Sequence, residues 1–451
     1  MKRFFMHNAF IQDRWQKDVI IDLDEQGVIR QVSANNTFDV NATEIKGLVL
    51  PSMSNLHSHA FQRAMAGLAE VAGDPQDSFW TWREQMYHLV ERLSPEQVKT
   101  IASYLYIDML KGGYTQVAEF NYLHHDQSGT AYESDDMSVA LRDAALQAGI
   151  GQTLLPVLYT YSGFGDLPAQ PLQKRFIQTT DQYIAQCQAL CKSEQGLLTT
   201  GICFHSLRAV NIDQIKQVLA RLSDNAPVHI HISEQMKEVN DCLSWSGKRP
   251  VEYLYDNISV DKRWCLIHAT HLNDSEVSRI ADSGAIAGIC TTTEANLGDG
   301  IFPATDFIQQ GGLWGVGSDS HVSLNAMEEL RWLEYGQRLV QQKRNRMVTD
   351  SQKSVGELLW IQAAKGGAQA CGVDLGCLDV GYRADWLELK SDEWLTNLPS
   401  EQWINRWLFG GDKTQIESVY VAGKRVIHQG SHQAEKRIKE EFAAVMAQLS
   451  H

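Results

Sequence analysis

Strand-like apolar runs recur eight times through the middle of the sequence, with helix-like stretches between them. The runs cover residues 48–50, 115–120, 151–157, 199–204, 227–232, 263–267, 285–290 and 312–316. Strands that alternate with helices indicate a parallel sheet covered by helices, and eight repeats favour a closed barrel. We therefore predict an α/β chain with a TIM-like (β/α)8 barrel over residues 48–372.

The two ends of the chain have a different pattern. Residues 2–32 and 374–430 alternate apolar and polar side chains, which is typical of antiparallel strands. Because neither end carries enough strands to be stable alone, we predict one small β-sandwich domain built from residues 1–47 and 373–430. The last segment, residues 431–451, is predicted to form a helix that packs on the barrel or on a second subunit, because apolar residues recur there at helical spacing.

Charge and composition exclude some classes of function. The chain has 451 residues and a net charge of 40 − 55 = −15, without a basic run, so we expect no binding to nucleic acid. No apolar stretch reaches the length of about 18 residues that a membrane span needs, and the N-terminus lacks a signal-peptide pattern. The eight cysteines are scattered, as expected for buried thiols. These features predict a cytoplasmic protein that does not contact a membrane.

Polar side chains follow several of the predicted barrel strands at the point where each strand ends. His57 and His59 follow the first strand, His231 ends the fifth, His268 follows the sixth and Asp319 follows the last. In a barrel of this type the carboxyl ends of the strands meet at one face, where active sites lie. Imidazole nitrogens and carboxylate oxygens suit zinc, so the sequence predicts a metal site there.

The fourth strand bears on the number of metal ions. It ends in Phe204 and His205 and offers no lysine for a carboxylated ligand that would bridge two metals, so we predict one zinc ion per chain. Iron or another divalent metal would also fit His and Asp ligands. The spacing of the residues does not decide whether His268 is a metal ligand or a general base.

Longer strings around these residues resemble a known family. The segments NLHSHAFQRAMAGLAE, EFNYLHH, FHSLRAV, HIHISEQ, TTTEANLGDGIFP and GSDSHVSL resemble formimidoylglutamate deiminases of the metal-dependent amidohydrolase superfamily. The resemblance covers nearly the whole chain. It implies hydrolysis of N-formimidoyl-L-glutamate to N-formyl-L-glutamate and ammonia, in histidine degradation, by a homodimer that uses a metal-activated water.

The resemblance also assigns roles to individual residues. It implies metal binding by His57, His59, His231 and Asp319. It implies a general-base role for His268 and proton transfer or hydrogen bonding by Glu234 and Asp319. The positions that match the substrate contacts of the family are Gln62, Arg83, Tyr122, His205 and Arg208, where cations and hydroxyls would hold a dicarboxylate. Arg83 lies in the aromatic stretch FWTWREQMY, so it can also be interpreted as an arginine that only stacks on tryptophan.

Two other functions are compatible with the pattern. A zinc aminohydrolase that acts on a purine or another aromatic ring would share the metal ligands, but it would need a stacking slot and few cations. A noncatalytic barrel is the third interpretation, and the complete set of candidate ligands argues against it.

Overall fold

The computed structural model describes residues 2–71 and 79–449. The chain begins with strands Lys2–Ile11 (β1), Arg14–Leu23 (β2), Ile29–Ser33 (β3) and Thr43–Pro51 (β4). The predicted first barrel strand, residues 48–50, was wrong: it forms the end of β4, where Leu48 lies beside Asn8 of β1 and opposite Leu389. A short run that is apolar on both faces has no period that tells one buried sheet from another, which explains the error.

The first barrel strand begins at Met53, two residues after the end of β4. Its strands are Met53–Ser58 (β5), Tyr114–Asn121 (β6), Gly151–Leu158 (β7), Ile202–Ser206 (β9), Val228–Ile232 (β10), Trp264–His268 (β11), Ile286–Ile289 (β12) and Leu313–Val316 (β13). A short strand, Leu198–Thr200 (β8), pairs with β7. All the paired barrel strands run parallel, and a bridge between Ser58 and Asp319 brings the two edges together. The predicted barrel fold is thus confirmed.

The helices of the chain lie mostly between barrel strands. They are Phe79–Val90 (α1), Pro95–Lys111 (α2), Asp136–Ala148 (α3), Thr180–Lys192 (α4), Ile212–Arg221 (α5), Met236–Ser246 (α6), Pro250–Asn257 (α7), Asp274–Ser283 (α8), Thr291–Leu297 (α9), Ala304–Gln309 (α10), Ala326–Gln341 (α11), Val355–Cys371 (α12), Glu393–Thr396 (α13), Trp403–Gly410 (α14) and Glu435–Leu449 (α15). Short 3-10 helices cover Ala60–Met65, Pro171–Gln173, Ser400–Gln402 and Lys413–Gln415. Within the described ranges, none of the helices combines the length and apolarity needed to cross a membrane.

The start of α2 is fixed by a capping box. Ser94 accepts a hydrogen bond from the Gln97 N–H at 3.3 Å, and the Gln97 side chain accepts one from the Ser94 N–H at 3.0 Å. This reciprocal pair satisfies two backbone donors that would otherwise lack partners, and Pro95 has no N–H to satisfy.

Both ends of the chain build one sheet beside the barrel. Its C-terminal strands are Trp386–Leu389 (β14), Ile416–Val421 (β15), Lys424–His428 (β16) and Ser431–His432 (β17). The strand order β17-β16-β15-β14-β4-β1-β2-β3 joins the two termini, and the sheet is mostly antiparallel. Hydrogen bonds between Ile29 and the segment at Gly381 and Tyr382 bring the β3 edge back toward β14 around a core that contains Phe4 and Trp386. The prediction that both ends of the chain form one domain is therefore confirmed. The domain is a single sheet whose β3 edge approaches β14.

The C-terminal helix α15 packs against the barrel helix α2. The rings of Phe442 and Tyr104 stack with centroids 4.2 Å apart, and Lys111 Nζ lies 2.6 Å from Glu435 Oε1. Of the two packing partners considered from the sequence, the barrel is therefore the one that the structure shows.

Candidate active site and metal centre

Five polar side chains converge at the carboxyl ends of the barrel strands. His57 lies in β5 and His59 directly follows it, His231 lies in β10, His268 ends β11, and Asp319 follows β13. All five are buried, with exposed fractions between 0% and 6%. Alternation along β5 turns His57 and His59 to the same side.

The distances among these side chains match the geometry of a small tetrahedral ion. Asp319 Oδ1 lies 3.2 Å from His57 Nε2 and 3.4 Å from His59 Nε2, while His57 Nε2 lies 3.0 Å from His231 Nε2. A zinc ion with bonds of about 2.1 Å separates neighbouring ligand atoms by about 3.4 Å. These four residues therefore fit a divalent metal such as zinc. His268 is close enough to form a second possible group with His57 and His231.

The second nitrogen of two of these histidines is held by the backbone. His59 Nδ1 donates to the carbonyl oxygen of Phe120 at 3.0 Å, and His231 Nδ1 donates to that of His205 at 2.9 Å. This leaves each Nε2 as a lone-pair donor that points toward the shared space, the arrangement usual for metal-binding histidines. Burial lowers the pKa of both imidazoles, which keeps them neutral and ready to bind a cation.

His268 lies among three carboxylates. Its Nε2 is 3.7 Å from Glu234 Oε1 and 3.8 Å from Asp319 Oδ2, and its Nδ1 is 3.3 Å from Glu294 Oε1. Burial lowers the pKa of His268, but the negative charge of Glu234 and the hydrogen bond to Glu294 outweigh burial and raise it. Burial raises the pKa of Glu234. The carboxylates around His268 therefore stabilise a proton on its ring.

The backbone turns sharply where these side chains leave their strands. His268 and Asp319 have φ angles of 68° and 46°, and Ser233, next to Glu234, has a φ of 52°. Positive φ in residues other than glycine costs free energy, and it is commonly found where a site requires it. The turn at Glu234 is stabilised by Glu238, whose carboxylate accepts hydrogen bonds from the N–H groups of Ser233 and Glu234.

A buried carboxylate stabilises the His57–His59 segment by hydrogen bonds. Glu119, in β6, accepts hydrogen bonds from Ser58 Oγ at 2.6 Å, from the Ala60 N–H at 2.7 Å and from Tyr106 Oη at 3.0 Å. Burial raises the pKa of Glu119 to about 7. Its bonds flank His59 on both sides and thereby fix the segment that carries two of the candidate ligands.

A cavity opens above the candidate metal centre. Every substrate residue expected from the sequence lines it: Gln62, Arg83, Tyr122, His205 and Arg208. Gln62 Nε2 donates to Tyr122 Oη at 3.2 Å, while Gln62 Oε1 is buried and has no hydrogen-bond partner among the described residues. This carbonyl oxygen is thus available to a ligand.

Both arginines lie over the ring of Trp80. The guanidinium carbon of Arg83 is 4.6 Å from the centroid of the Trp80 ring, and that of Arg208 is 6.0 Å from it. Arg83 therefore stacks on tryptophan and lines the cavity as well. Arg208 is half-buried, and its Nε is buried without a hydrogen-bond partner within residues 2–71 and 79–449. A guanidinium in this state is suited to binding an anion.

The remaining histidines near the barrel have structural contacts. His229 lies deeper in β10 and bonds the carbonyl oxygen of Ala370 at 2.7 Å, as expected for a core histidine. His321 lies 3.3 Å from Ser58 Oγ and 2.9 Å from Ser318 Oγ, where the barrel closes.

Reasoning from the sequence missed several residues of the site. Glu119 and Glu294 were assigned no role, and neither were the aromatic residues that line the cavity: Trp82, Tyr87, Tyr159 and Phe176. Glu119 and Glu294 do lie within EFNYLHH and TTTEANLGDGIFP, the strings that carry the resemblance. Their positions in those strings were therefore the available signal.

Comparison with known proteins supports this geometry. The chain matches the amidohydrolase family over residues 48–426. It is 53% identical over 452 residues to the formimidoylglutamate deiminase of Pseudomonas aeruginosa, covering 100% of both chains. It is 25% identical to a 5-methylthioadenosine/S-adenosylhomocysteine deaminase of Bacillus cereus, covering 95% of each.

Solved structures show the same architecture. An amidohydrolase from Brucella melitensis superimposes with a TM-score of 0.95 at 41% identity, covering 100% of both chains. An adenosine deaminase from Xanthomonas campestris, solved with bound zinc, gives a TM-score of 0.83 at 19% identity, covering 99% of this chain and 98% of that one. At this lower identity the likeness establishes the fold alone.

Proposed function

The chain belongs to the amidohydrolase family, and from this premise we propose that it hydrolyses N-formimidoyl-L-glutamate to N-formyl-L-glutamate and ammonia. Full-length identity of 53% to a formimidoylglutamate deiminase supports the reaction. The observation that carries the substrate class is Arg208, a half-buried arginine whose buried Nε has no partner among the described residues and which lines the same cavity as Glu234 and His268. A metal-dependent hydrolase with free cationic groups above its metal centre suits a small anionic substrate.

The residues that would hold the metal are His57, His59, His231 and Asp319. A zinc ion bound by them would lower the pKa of a water molecule toward about 7 and so supply a nucleophile at neutral pH. We propose one ion per chain, because strand β9 (Ile202–Ser206) carries no lysine that could become a carboxylated bridging ligand.

His268 and Glu234 would move the protons of the reaction. Attack of water on the C=N carbon forms a tetrahedral centre, and the nitrogen leaves as ammonia only after it has been protonated. His268 Nε2 takes a proton from the attacking water and passes it to that nitrogen. Glu234 lies 3.7 Å from His268 Nε2 and accepts a hydrogen bond from the imino N–H. As the C–N bond breaks, the hydroxyl proton passes by way of Asp319 to the same nitrogen, which then leaves as NH3 while the carbonyl of the formyl group forms.

The upper part of the cavity would bind the glutamate portion. Arg83 and Arg208 offer guanidinium groups for two carboxylates, with the Tyr122 hydroxyl and His205 nearby. The Gln62 carbonyl oxygen, which lacks a partner, would accept a hydrogen bond from the formimidoyl N–H. A purine deaminase would instead fill this space with a neutral ring and leave both guanidinium groups without an anion.

We also propose a cytoplasmic homodimer that acts in histidine degradation. An exposed apolar face supports self-association, since the side chains of Trp332, Leu339 and Val340 on α11 are 44%, 72% and 64% exposed. Measurement of the mass in solution tests the dimer, and a monomer at micromolar concentration would contradict it.

Release of ammonia by the zinc-loaded protein tests the activity. We expect turnover of N-formimidoyl-L-glutamate, with guanine, adenosine and 5-methylthioadenosine assayed in parallel at the same concentration. Ammonia released only from a purine would replace this proposal with a ring deaminase. Metal-loaded protein that acts on none of the four would contradict it as well.

A further inference from the structure

Glu294 is a buried carboxylate beside the candidate general base, and the mechanism above gives it no role. It lies in α9, after strand β12, and is 3% exposed. Its Oε1 is 3.3 Å from His268 Nδ1. We propose that Glu294 is a positioning residue that fixes the ring and the tautomer of His268. The expected effect of Glu294 on kcat rests on the proposed function, whereas the contact between Glu294 and His268 does not.

The two nitrogens of His268 face different surroundings. Nδ1 faces Glu294, while Nε2 faces Glu234 and Asp319 at the metal centre. A neutral imidazole has one N–H donor and one acceptor, and an ionised carboxylate only accepts. If the proton were on Nε2 alone, the Nδ1 lone pair would face the Glu294 oxygen at 3.3 Å. With the proton on Nδ1, the contact becomes a hydrogen bond and Nε2 is left as the base.

Glu294 is itself firmly held. The Cys290 N–H donates to the same Oε1 at 2.9 Å, so that oxygen is fixed from the strand side. The start of α9 is anchored to α11, because Thr291 Oγ1 donates to the Glu329 carbonyl oxygen at 2.7 Å and the Thr292 N–H donates to the Glu329 carboxylate at 3.0 Å. The carboxylate thus serves as a fixed acceptor, against which the imidazole ring is oriented.

The test compares two substitutions of similar size. Glu294→Leu removes the acceptor, and we expect kcat to fall about 10- to 100-fold while KM changes less than about 3-fold, as for other residues that support a catalytic group. Glu294→Gln keeps an oxygen that can accept from Nδ1, so its kcat should recover part of this loss. Equal kcat for Glu294→Leu and wild type, or no recovery in Glu294→Gln, would overturn the proposal.

A double substitution separates positioning from general support of the fold. If Glu294 acts through His268, then Glu294→Leu should have almost no further effect in a His268→Asn background, within about 2-fold. A fully additive loss would show that Glu294 acts elsewhere. The control is Glu334→Gln, since Glu334 is a fully buried carboxylate on α11 that pairs with Arg338 and does not contact the site. It should lower thermal stability without changing kcat.

A spectroscopic measurement makes the proposal independent of turnover. In protein labelled with 15N-histidine, the signals of His268 are identified by their absence in His268→Asn. Zinc-loaded wild type should show a protonated Nδ1 and an unprotonated Nε2, and Glu294→Leu should lose this preference. An unprotonated Nδ1 in wild type overturns the positioning role, whereas inactive wild type with a protonated Nδ1 overturns only the proposed function.

Discussion

His268 and Glu234 face each other at the cavity, with 3.7 Å between Nε2 and Oε1. This distance is longer than the separations of 3.0 to 3.4 Å within the candidate tetrahedral group. The proposal accordingly assigns the ion to that group and the movement of protons to His268 and Glu234. This assignment can be tested by substitution.

His268→Asn should retain the metal and lose turnover. Asparagine cannot act as a base at neutral pH, so we expect kcat to fall by about 10² to 10⁴, the usual contribution of general acid–base catalysis. Metal content by elemental analysis and kcat for N-formimidoyl-L-glutamate are the two measurements. Glu234→Gln should behave similarly. Loss of metal in His268→Asn would instead make His268 a ligand.

Substitution of the proposed ligands should have the opposite pattern. Purified wild type should contain about one zinc-like ion per chain, and His57→Ala or Asp319→Asn should lose both the ion and the activity, because each removes one corner of the tetrahedral set. Chelation followed by addition of zinc should abolish and then restore turnover. Two tightly bound ions per chain would contradict the mononuclear centre. His229→Asn is the matched control, since His229 lies in β10 and its one hydrogen bond among the described residues is to the backbone of Ala370.

The barrel and the location of its site were predictable because they depend on local pattern. Alternating strands and helices imply parallel strands, and the carboxyl ends of parallel strands meet, so His231 and Asp319 could be placed together despite their separation in the chain. The start of the barrel was not predictable in the same way. Residues 48–50 are apolar on both faces, and pairing with strands distant in the chain, Leu48 with Asn8 and with Leu389, places them in the other sheet.

The hydrogen bonds that position the site residues could not be predicted from the sequence pattern either. Glu119 bonds Ser58, 61 residues earlier, and Glu294 bonds His268, 26 residues earlier. Such contacts depend on the side-chain directions of two elements whose packing is set by the whole barrel. A buried carboxylate in an apolar strand such as β6 was nonetheless a signal, because buried charges are rare unless they are paired.

The stability of the fold should depend on pH through Glu435, at the start of the C-terminal helix α15. Burial raises the pKa of Glu435, but hydrogen bonds from Lys111, Lys439 and the His432 N–H outweigh burial and lower it from 4.5 to about 2. A carboxylate whose folded pKa is depressed contributes stability above its unfolded pKa and loses it as pH falls through the folded pKa. We therefore expect Glu435→Gln to lower the melting temperature at pH 7.

This difference in melting temperature between wild type and Glu435→Gln should shrink as pH falls below about 4.5 toward 2. Thermal unfolding followed by circular dichroism at several pH values measures it. Glu440→Gln, an exposed position on the same helix, removes the same charge and should show a much smaller difference at pH 7. A difference that stays constant between pH 7 and pH 3 would show that the Glu435 charge does not stabilise the docked helix.

Substitution of Arg208 tests the substrate most directly. The chain has a net charge of −15, so it repels a dianion at long range, and a dicarboxylate must be bound by local cations. Removing one partner of a buried charged hydrogen bond typically costs about 2 to 5 kcal/mol, largely because the other charge is left unpaired. Arg208→Met should therefore reduce kcat/KM for N-formimidoyl-L-glutamate by about 30-fold or more, with metal content unchanged.

The same variant should affect a neutral analogue far less. Formimidoylglycinamide presents the formimidoyl group without a carboxylate, so Arg208→Met leaves no substrate charge unpaired in the cavity. Arg221→Met is the control, because Arg221 pairs with Asp181 at the exposed surface, and its kcat/KM should match wild type for both compounds. Equal losses on the two compounds in Arg208→Met would mean that Arg208 supports the fold or the metal centre. Recognition of the carboxylates would then depend on Arg83 and Tyr122.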